Sequence, residues 1–146
     1  ARIYADGSEL PVGKAVVLRG GTDAVIFAAG IMVHEALQAA SILEAEGVSA
    51  AVLDMFTIKP LDKEAIIAAA KETGAIVTAE NHNLNGGLGS AVAECLAESC
   101  PIPMERVANQ DRFGDVGSLR YLMKEYGLTA KFIVEKAKKV LERKAK

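Results

Sequence analysis

The sequence predicts an α/β fold of three layers, α/β/α, in which a mixed, mostly parallel five-stranded sheet lies between helices and the first strand runs antiparallel. Three observations predict it. Short apolar runs alternate along the chain with segments whose apolar residues recur at helical spacing. The runs are apolar at successive positions rather than at every second one, as strands covered on both faces are. Glycines and capping residues stand at the joints between the two kinds of segment. The chain has 146 residues, 51% of them hydrophobic. That is enough for one domain burying roughly 70% of its unfolded surface.

Residues 1–14 are polar and irregular, with Gly7, Pro11 and Gly13, and are expected to be a linker from a preceding domain, so that the domain itself covers 15–146. The runs Ala15 to Leu18 and Ala24 to Ala29 flank Arg19-Gly20-Gly21-Thr22-Asp23, a glycine turn suited to closing an antiparallel pair. From Ile31 the period becomes helical, through Val33, Ala36, Leu37, Ala40 and Leu43, until Gly47 stops it. Ala50 to Phe56 reads as a buried strand. Asp62 is placed to cap a helix carrying Ile66, Ile67 and Ala70, which Gly74 ends.

Ala75 to Ala79 reads as the next strand, turning polar at Glu80 and entering a loop through Asn81, His82 and Asn83. Gly86, Gly87 and Gly89 follow, and a helix is expected from about Leu88 to Ser99. Pro101-Ile102-Pro103 breaks that helix, and Met104 to Ala108 is the last strand. Ser118 is placed to cap a helix ending at Gly127, and Thr129 to cap a final one with Phe132, Ile133, Ala137, Val140 and Leu141 on its apolar side. The Lys-rich opposite side reads as a solvated face.

Composition removes whole classes of function. Lys plus Arg number 17 against 19 Asp plus Glu, which leaves no basic footprint for nucleic acid. Aromatic residues are 5% with no Trp, which removes the stacking platforms of single-strand binders. No apolar run reaches the roughly 20 residues of a membrane span. The expectation is a cytoplasmic protein. Cys95 and Cys100, five apart on one expected helix, point to different faces and read as free thiols. The chain opens Ala1-Arg2 without Met, which suggests trimming or excision from something longer.

The stretch around Glu80 to Ser90 is where function is sought, because ligands and partners meet an open α/β sheet at the carboxyl ends of its strands. Candidate residues for an interface or an anion-binding loop are Glu80, His82, Gly86, Gly87, Gly89 and Ser90. Amides at a helix start favour an anion, while glycines there equally serve a tight turn and close packing. The loop lacks the Lys of a phosphate-binding loop and the spacing of a dinucleotide fingerprint. His34, near the start of the first helix, reads as a surface or capping residue. His82 reads as loop-structuring or ligand-touching. Two separated histidines and no Cys pair make no metal site. No catalytic constellation emerges, and the reading of a free-standing small-molecule or anion-binding module stays open.

Six blocks in order carry a resemblance. They are Gly13-Lys14-Ala15; Arg19-Gly20-Gly21-Thr22-Asp23; Gly30 with Ala36-Leu37 and Ala39-Ala40; Ile58-Lys59-Pro60-Leu61-Asp62; Glu80-Asn81-His82 with Gly86 to Ser90; and Asp111-Arg112-Phe113-Gly114 with Tyr126-Gly127-Leu128-Thr129. Together they resemble the carboxyl-terminal domain of transketolase over essentially the whole chain, most closely the separately encoded carboxyl-terminal half found in some prokaryotes. The carboxyl-terminal domains of 1-deoxyxylulose-5-phosphate synthase and of the decarboxylating component of 2-oxoacid dehydrogenases share some blocks, while Arg112-Phe113-Gly114 and Gly127-Leu128-Thr129 favour transketolase. The resemblance implies part of a two-carbon ketol transferase of the pentose phosphate type. It implies that thiamine diphosphate and Mg are held by other domains of the complete, dimeric enzyme, and that this chain assembles with the thiamine-binding half without catalytic residues of its own. Under it, the glycine loop is a packing seam.

Overall fold

The computed structural model describes residues 2–144, so Ala1 of the expected linker and 145–146 of the expected domain lie outside the described residues. Five strands and five helices follow in the order β1 (Val16–Arg19), β2 (Ala24–Ala28), α1 (Met32–Ala45), β3 (Ala50–Asp54), α2 (Lys63–Thr73), β4 (Ile76–Asn83), α3 (Leu88–Ser99), β5 (Met104–Asn109), α4 (Leu119–Glu125) and α5 (Ala130–Lys144). The sheet order is β1-β3-β2-β4-β5. All neighbours are parallel except β1, which runs antiparallel to β3.

β2 is buried at every position, and its side chains divide by the two-residue strand period. Ala24, Ile26 and Ala28 face the α1 and α5 layer, where Met32, Leu43, Ile133 and Val140 close the core. Val25 and Phe27 face the other layer, against Ile66 of α2 and Leu88, Val92 and Leu96 of α3. The continuous apolar runs of the sequence therefore correspond to strands covered on both sides.

The local caps match the chain's own signals. Asp62 Oδ1 accepts the Ala65 amide at the start of α2, and Gly74 ends that helix in the left-handed region at φ 65°. Asp62 Oδ2 also accepts the Ala15 amide, 2.9 Å away. Burial alone would raise this carboxyl, but the Ala15 and Ala65 amides and the Lys14 charge outweigh it and hold it below the usual carboxylate range. Ser118 caps α4 through the Tyr121 amide.

Several expectations are corrected. β1 and β2 do not pair as a hairpin: the Gly20–Asp23 turn carries the chain past β3, and β1 joins the far edge of the sheet. The reason is burial, since β2 is enclosed and belongs in the centre, whereas β1 leaves Val17 66% exposed and tolerates an edge. The run from Ala50 ends as a strand at Asp54 rather than Phe56. β4 continues to Asn83, so Glu80 lies within the strand and is only 4% exposed, rather than opening a polar loop. Cys100 lies beyond the end of α3. The Lys-rich side of α5 is not merely solvated: Lys136, Lys139 and Arg143 all converge on the buried carboxylate of Glu105 on β5. Among the described residues no helix is long and apolar enough to cross a membrane.

The described residues of the expected linker, 2–14, form neither helix nor strand, yet they are fastened to the carboxyl end of β3. The Tyr4 hydroxyl donates to Asp54 Oδ2 at 2.7 Å, and the Gly13 amide donates to Thr57 Oγ1 at 3.0 Å.

Candidate functional site

After β2 the chain turns to β3 on one side, and after β4 it turns to β5 on the other. The carboxyl ends of β2 and β4 therefore diverge at the topological switch point, where open α/β sheets form a crevice. Gly30, at φ 59°, and Asn81 meet there: a Cβ on Gly30 would lie 3.4 Å from Asn81 Oδ1.

The loop expected to receive a partner or an anion is built around Glu80. Its Oε2 accepts the Leu88 amide at 2.7 Å and its Oε1 the Gly89 amide at 2.8 Å. These are free amides of the first turn of α3, where a helix carries its partial positive charge. Their anion is the chain's own carboxylate. An incoming anion on the Leu88 and Gly89 amides would have to displace a buried, doubly bonded carboxylate.

The same arrangement explains the glycines. A Cβ on Gly87 would overlap the Glu80 carboxylate and lie 2.9 Å from His82 Nδ1. A Cβ on Gly89 would lie 2.8 Å from Arg106 Cδ and 2.9 Å from Thr78 Oγ1. The space that Gly87 and Gly89 leave is filled from within the domain by the side chains of Glu80, His82, Arg106 and Thr78, whereas a Cβ on Gly86 would meet nothing within 4 Å. Gly86, at φ 80°, turns the chain and donates its amide to Ser90 Oγ.

What remains outside is the tip. Asn81, His82, Asn85 and Gly86 are exposed, whereas Gly87, Leu88 and Gly89 are buried. His82 Nδ1 lies 3.0 Å from the Asn83 carbonyl. His34 is 2.8 Å from Gln38 Nε2 on the surface of α1, with no capping bond, and takes no part in this loop. The loop is tied to the next one by Asn83 Nδ2, which donates to Asp111 Oδ1 at 3.0 Å, and by Arg106, which donates to the Leu84 carbonyl at 3.1 Å.

Two carboxylates away from the loop are shifted in opposite directions. Burial would raise Glu105, but Lys136, Arg143 and Lys139 outweigh it and hold its carboxyl below the usual range. Burial raises Asp54 more than the Tyr4 hydrogen bond lowers it, and Asp54 Oδ1 has no partner. Neither cluster suits a metal: among the described residues no group of three or more His, Cys, Asp or Glu could hold one.

The residues that the sequence did not connect are Glu80 with α3 and Glu35 with α5. Glu35 Oε2 accepts the Ala130 amide at 2.7 Å, 95 residues away. No signal short of the tertiary fold links those pairs, because the partners share no local motif.

Comparison with known proteins adds a family. A family model described as the C-terminal domain of transketolase matches residues 13–133. A 6-deoxy-6-sulfo-D-fructose transketolase subunit of Clostridium sp. (strain MSTE9) is 53% identical over 143 residues, 98% of this chain and 44% of that protein. One of the subunits of an apulose-4-phosphate transketolase of Phocaeicola vulgatus is 43% identical, over 90% of this chain and 42% of its own length. A 1-deoxy-D-xylulose-5-phosphate synthase of Heliobacterium modesticaldum is 44% identical over 91% of this chain and 21% of its own. Among solved structures, a split-gene transketolase described as an inactive beta4 tetramer superposes with a TM-score of 0.93 at 44% identity, covering 99% of this chain and 46% of that one. The chain thus spans less than half the length of these relatives.

Proposed function

Because this chain belongs to the transketolase C-terminal domain family, we propose that it serves a thiamine diphosphate-dependent transketolase as a structural and assembly unit, while the transfer of a two-carbon ketol between sugar phosphates is performed elsewhere in the enzyme. The observation that carries this reading is the Glu80 bridge. The most site-like loop of the chain spends its amides and its glycines on its own carboxylate.

The family's cofactor finds no fit among the described residues. A diphosphate with a divalent metal needs converging carboxylates and free loop amides; no group of potential metal ligands gathers here, and the amides of Leu88 and Gly89 are taken. In the complete enzyme thiamine diphosphate supplies carbanion chemistry. This chain's residues shape and brace a surface. The exposed tip at His82 and Gly86, held from beneath by Glu80, Gly87, Gly89 and Ser90, is one part of that surface offered to the thiamine-binding half. The complete enzyme is a cytoplasmic dimer in this reading. A 53% identical relative and a 44% identical solved structure that are both transketolases, each with this chain covering nearly half its length, support ketol transfer.

The test is a coupled ketol-transfer assay with thiamine diphosphate and magnesium. The chain is assayed alone and then mixed with a purified thiamine-binding half from the same source. Activity is expected in the mixture only. Activity in this chain alone, or no gain in the mixture when both proteins are folded, would overturn the reading.

A further inference from the structure

Charge is unevenly spread over this molecule. The chain carries a net charge of -2, yet beside β5, at the edge of the sheet, cations outnumber acids. Glu105, only 8% exposed, takes Lys136 and Lys139 on Oε2, at 3.1 and 3.2 Å, and Arg143 on Oε1 at 2.7 Å. One carboxylate answers one of three positive charges, so the cluster keeps two in surplus. The cations repel one another around it, and a second anion would relieve that repulsion.

A further cation stands on the same strand. Arg106 pairs with Thr78 of β4, and its stem occupies the space that Gly89 leaves, where a Cβ on that glycine would lie 2.8 Å from Arg106 Cδ. Its Nη1 donates to the Leu84 carbonyl at 3.1 Å, which orients the guanidinium. Among the described residues no carboxylate pairs with Arg106, although the side chain is half-buried. A guanidinium taken partly out of water and held in place without an anion is prepared for one.

Arg106 and Lys136 line a single cleft. Its volume is about 570 Å³, which lies in the range of small-molecule sites. Leu84, Ala93 and Met104 give it apolar walls, and Glu94 and Gln110 give it polar ones. Gln110 Nε2 is spent on the Ala108 carbonyl, so its amide oxygen is left to accept. Glu94 is exposed and forms no ion pair among the described residues. Adding Arg106 and Glu94 to the Glu105 cluster gives four cations against two acids, so the surplus remains two.

A ligand matching this cleft brings an oxyanion for the cations and hydrogen-bond donors for Glu94 and Gln110. A phosphate monoester, with a charge of about -1.5 to -2 near pH 7, balances the surplus as a single carboxylate does not. We propose that the cleft binds a small phosphate monoester bearing hydroxyl groups, its phosphate held by Arg106 and Lys136 and its hydroxyls by Glu94 and Gln110.

Isothermal titration calorimetry of the 146-residue chain at low salt, where screening is weak, tests this with glycerol 3-phosphate, inorganic phosphate and glycerol. Glycerol 3-phosphate is expected to bind saturably, inorganic phosphate about tenfold more weakly for want of the hydroxyl contacts, and glycerol not at all. Arg106→Gln and Lys136→Gln are each expected to weaken glycerol 3-phosphate about tenfold or more, the scale of one charge-assisted contact. Glu94→Ala is expected to bring glycerol 3-phosphate toward the affinity of phosphate without weakening phosphate itself. Lys138→Gln, on α5 but paired with Glu46, is expected to change nothing. Because Arg106 also braces the Leu84 carbonyl, urea unfolding of each variant accompanies the titrations. Lys136→Gln leaves Lys139 and Arg143 on Glu105 and decides the matter if Arg106→Gln fails to fold. Absence of saturable glycerol 3-phosphate binding, or equal affinity for inorganic phosphate, would overturn the proposal. So would undiminished binding by folded Lys136→Gln, or an equal loss through Lys138→Gln, which would mean general attraction to a basic helix. Ketol transfer in the mixed assay succeeds or fails independently of these outcomes.

Discussion

Glu80 and Leu88 are joined across the turn from β4 to α3 by a 2.7 Å hydrogen bond from the Leu88 amide to Oε2, while Oε1 takes the next amide, that of Gly89. Both amides are buried, so removing the carboxylate leaves two donors without water or protein partners. Glu80→Ala is expected to cost about 3 kcal/mol by urea unfolding, the scale of lost hydrogen bonds to a charged acceptor. Gly87→Ala is expected to cost about 1–3 kcal/mol by pushing that carboxylate out of place. Because the two changes act on one contact, the double variant should be clearly less destabilised than the sum. Additive effects would show that Gly87 serves something other than the Glu80 bridge.

Glu105 governs the acid side of stability. Three cations hold its carboxyl below the usual range, so in the folded chain it stays ionised at pH values where the unfolded chain takes up a proton. Its contribution is fully present above the unfolded value of about 4.3 and is lost as pH falls through the folded one. Urea titrations of the parent and Glu105→Gln from neutral to acid pH should therefore converge as pH drops. A constant gap would mean that the ion cluster contributes nothing through ionisation.

Asp54 acts with the opposite sign. Its folded carboxyl is raised, burial outweighing the Tyr4 hydrogen bond, so the folded chain holds this proton more firmly than the unfolded chain. Its stabilising contribution is present below the unfolded value of about 3.9 and is lost as pH rises through the folded one. Asp54→Asn should gain stability relative to the parent as pH rises out of the acid range. Tyr4→Phe, which removes the bond that lowers Asp54, should steepen the parent's dependence. The same unfolding titrations read both, and a flat Asn-minus-Asp difference would count against a raised carboxyl.

Much of this protein was legible in its residues because the signals were local. Continuous apolar runs announced strands covered on both faces, and β2 is buried at all its positions. Asp62 and Ser118 read as caps because a cap's partner lies two or three residues on, and both make those bonds. The six ordered blocks pointed to the transketolase carboxyl-terminal domain, and the family model covers residues 13–133. The loop from Glu80 to Ser90 was recognised as the place of interest, but its internal chemistry was not.

What the linear pattern could not contain is which distant group answers each exposed amide or charge. The amides opening α3 are met by Glu80 of the strand before it, and the Ala130 amide by Glu35, 95 residues earlier. The Lys-rich stripe of α5 looked solvated until β5 set Glu105 beneath it. The partner of β1 also had to wait, because two strands flanking a glycine turn suit a hairpin, and only the burial of β2 on both faces sends β1 to the far side of β3. Strand, helix and local cap follow from the period and from neighbours within a turn. Pairing, long-range capping and the surface left uncovered follow from which elements can share one core, a choice made only when the whole sheet is assembled.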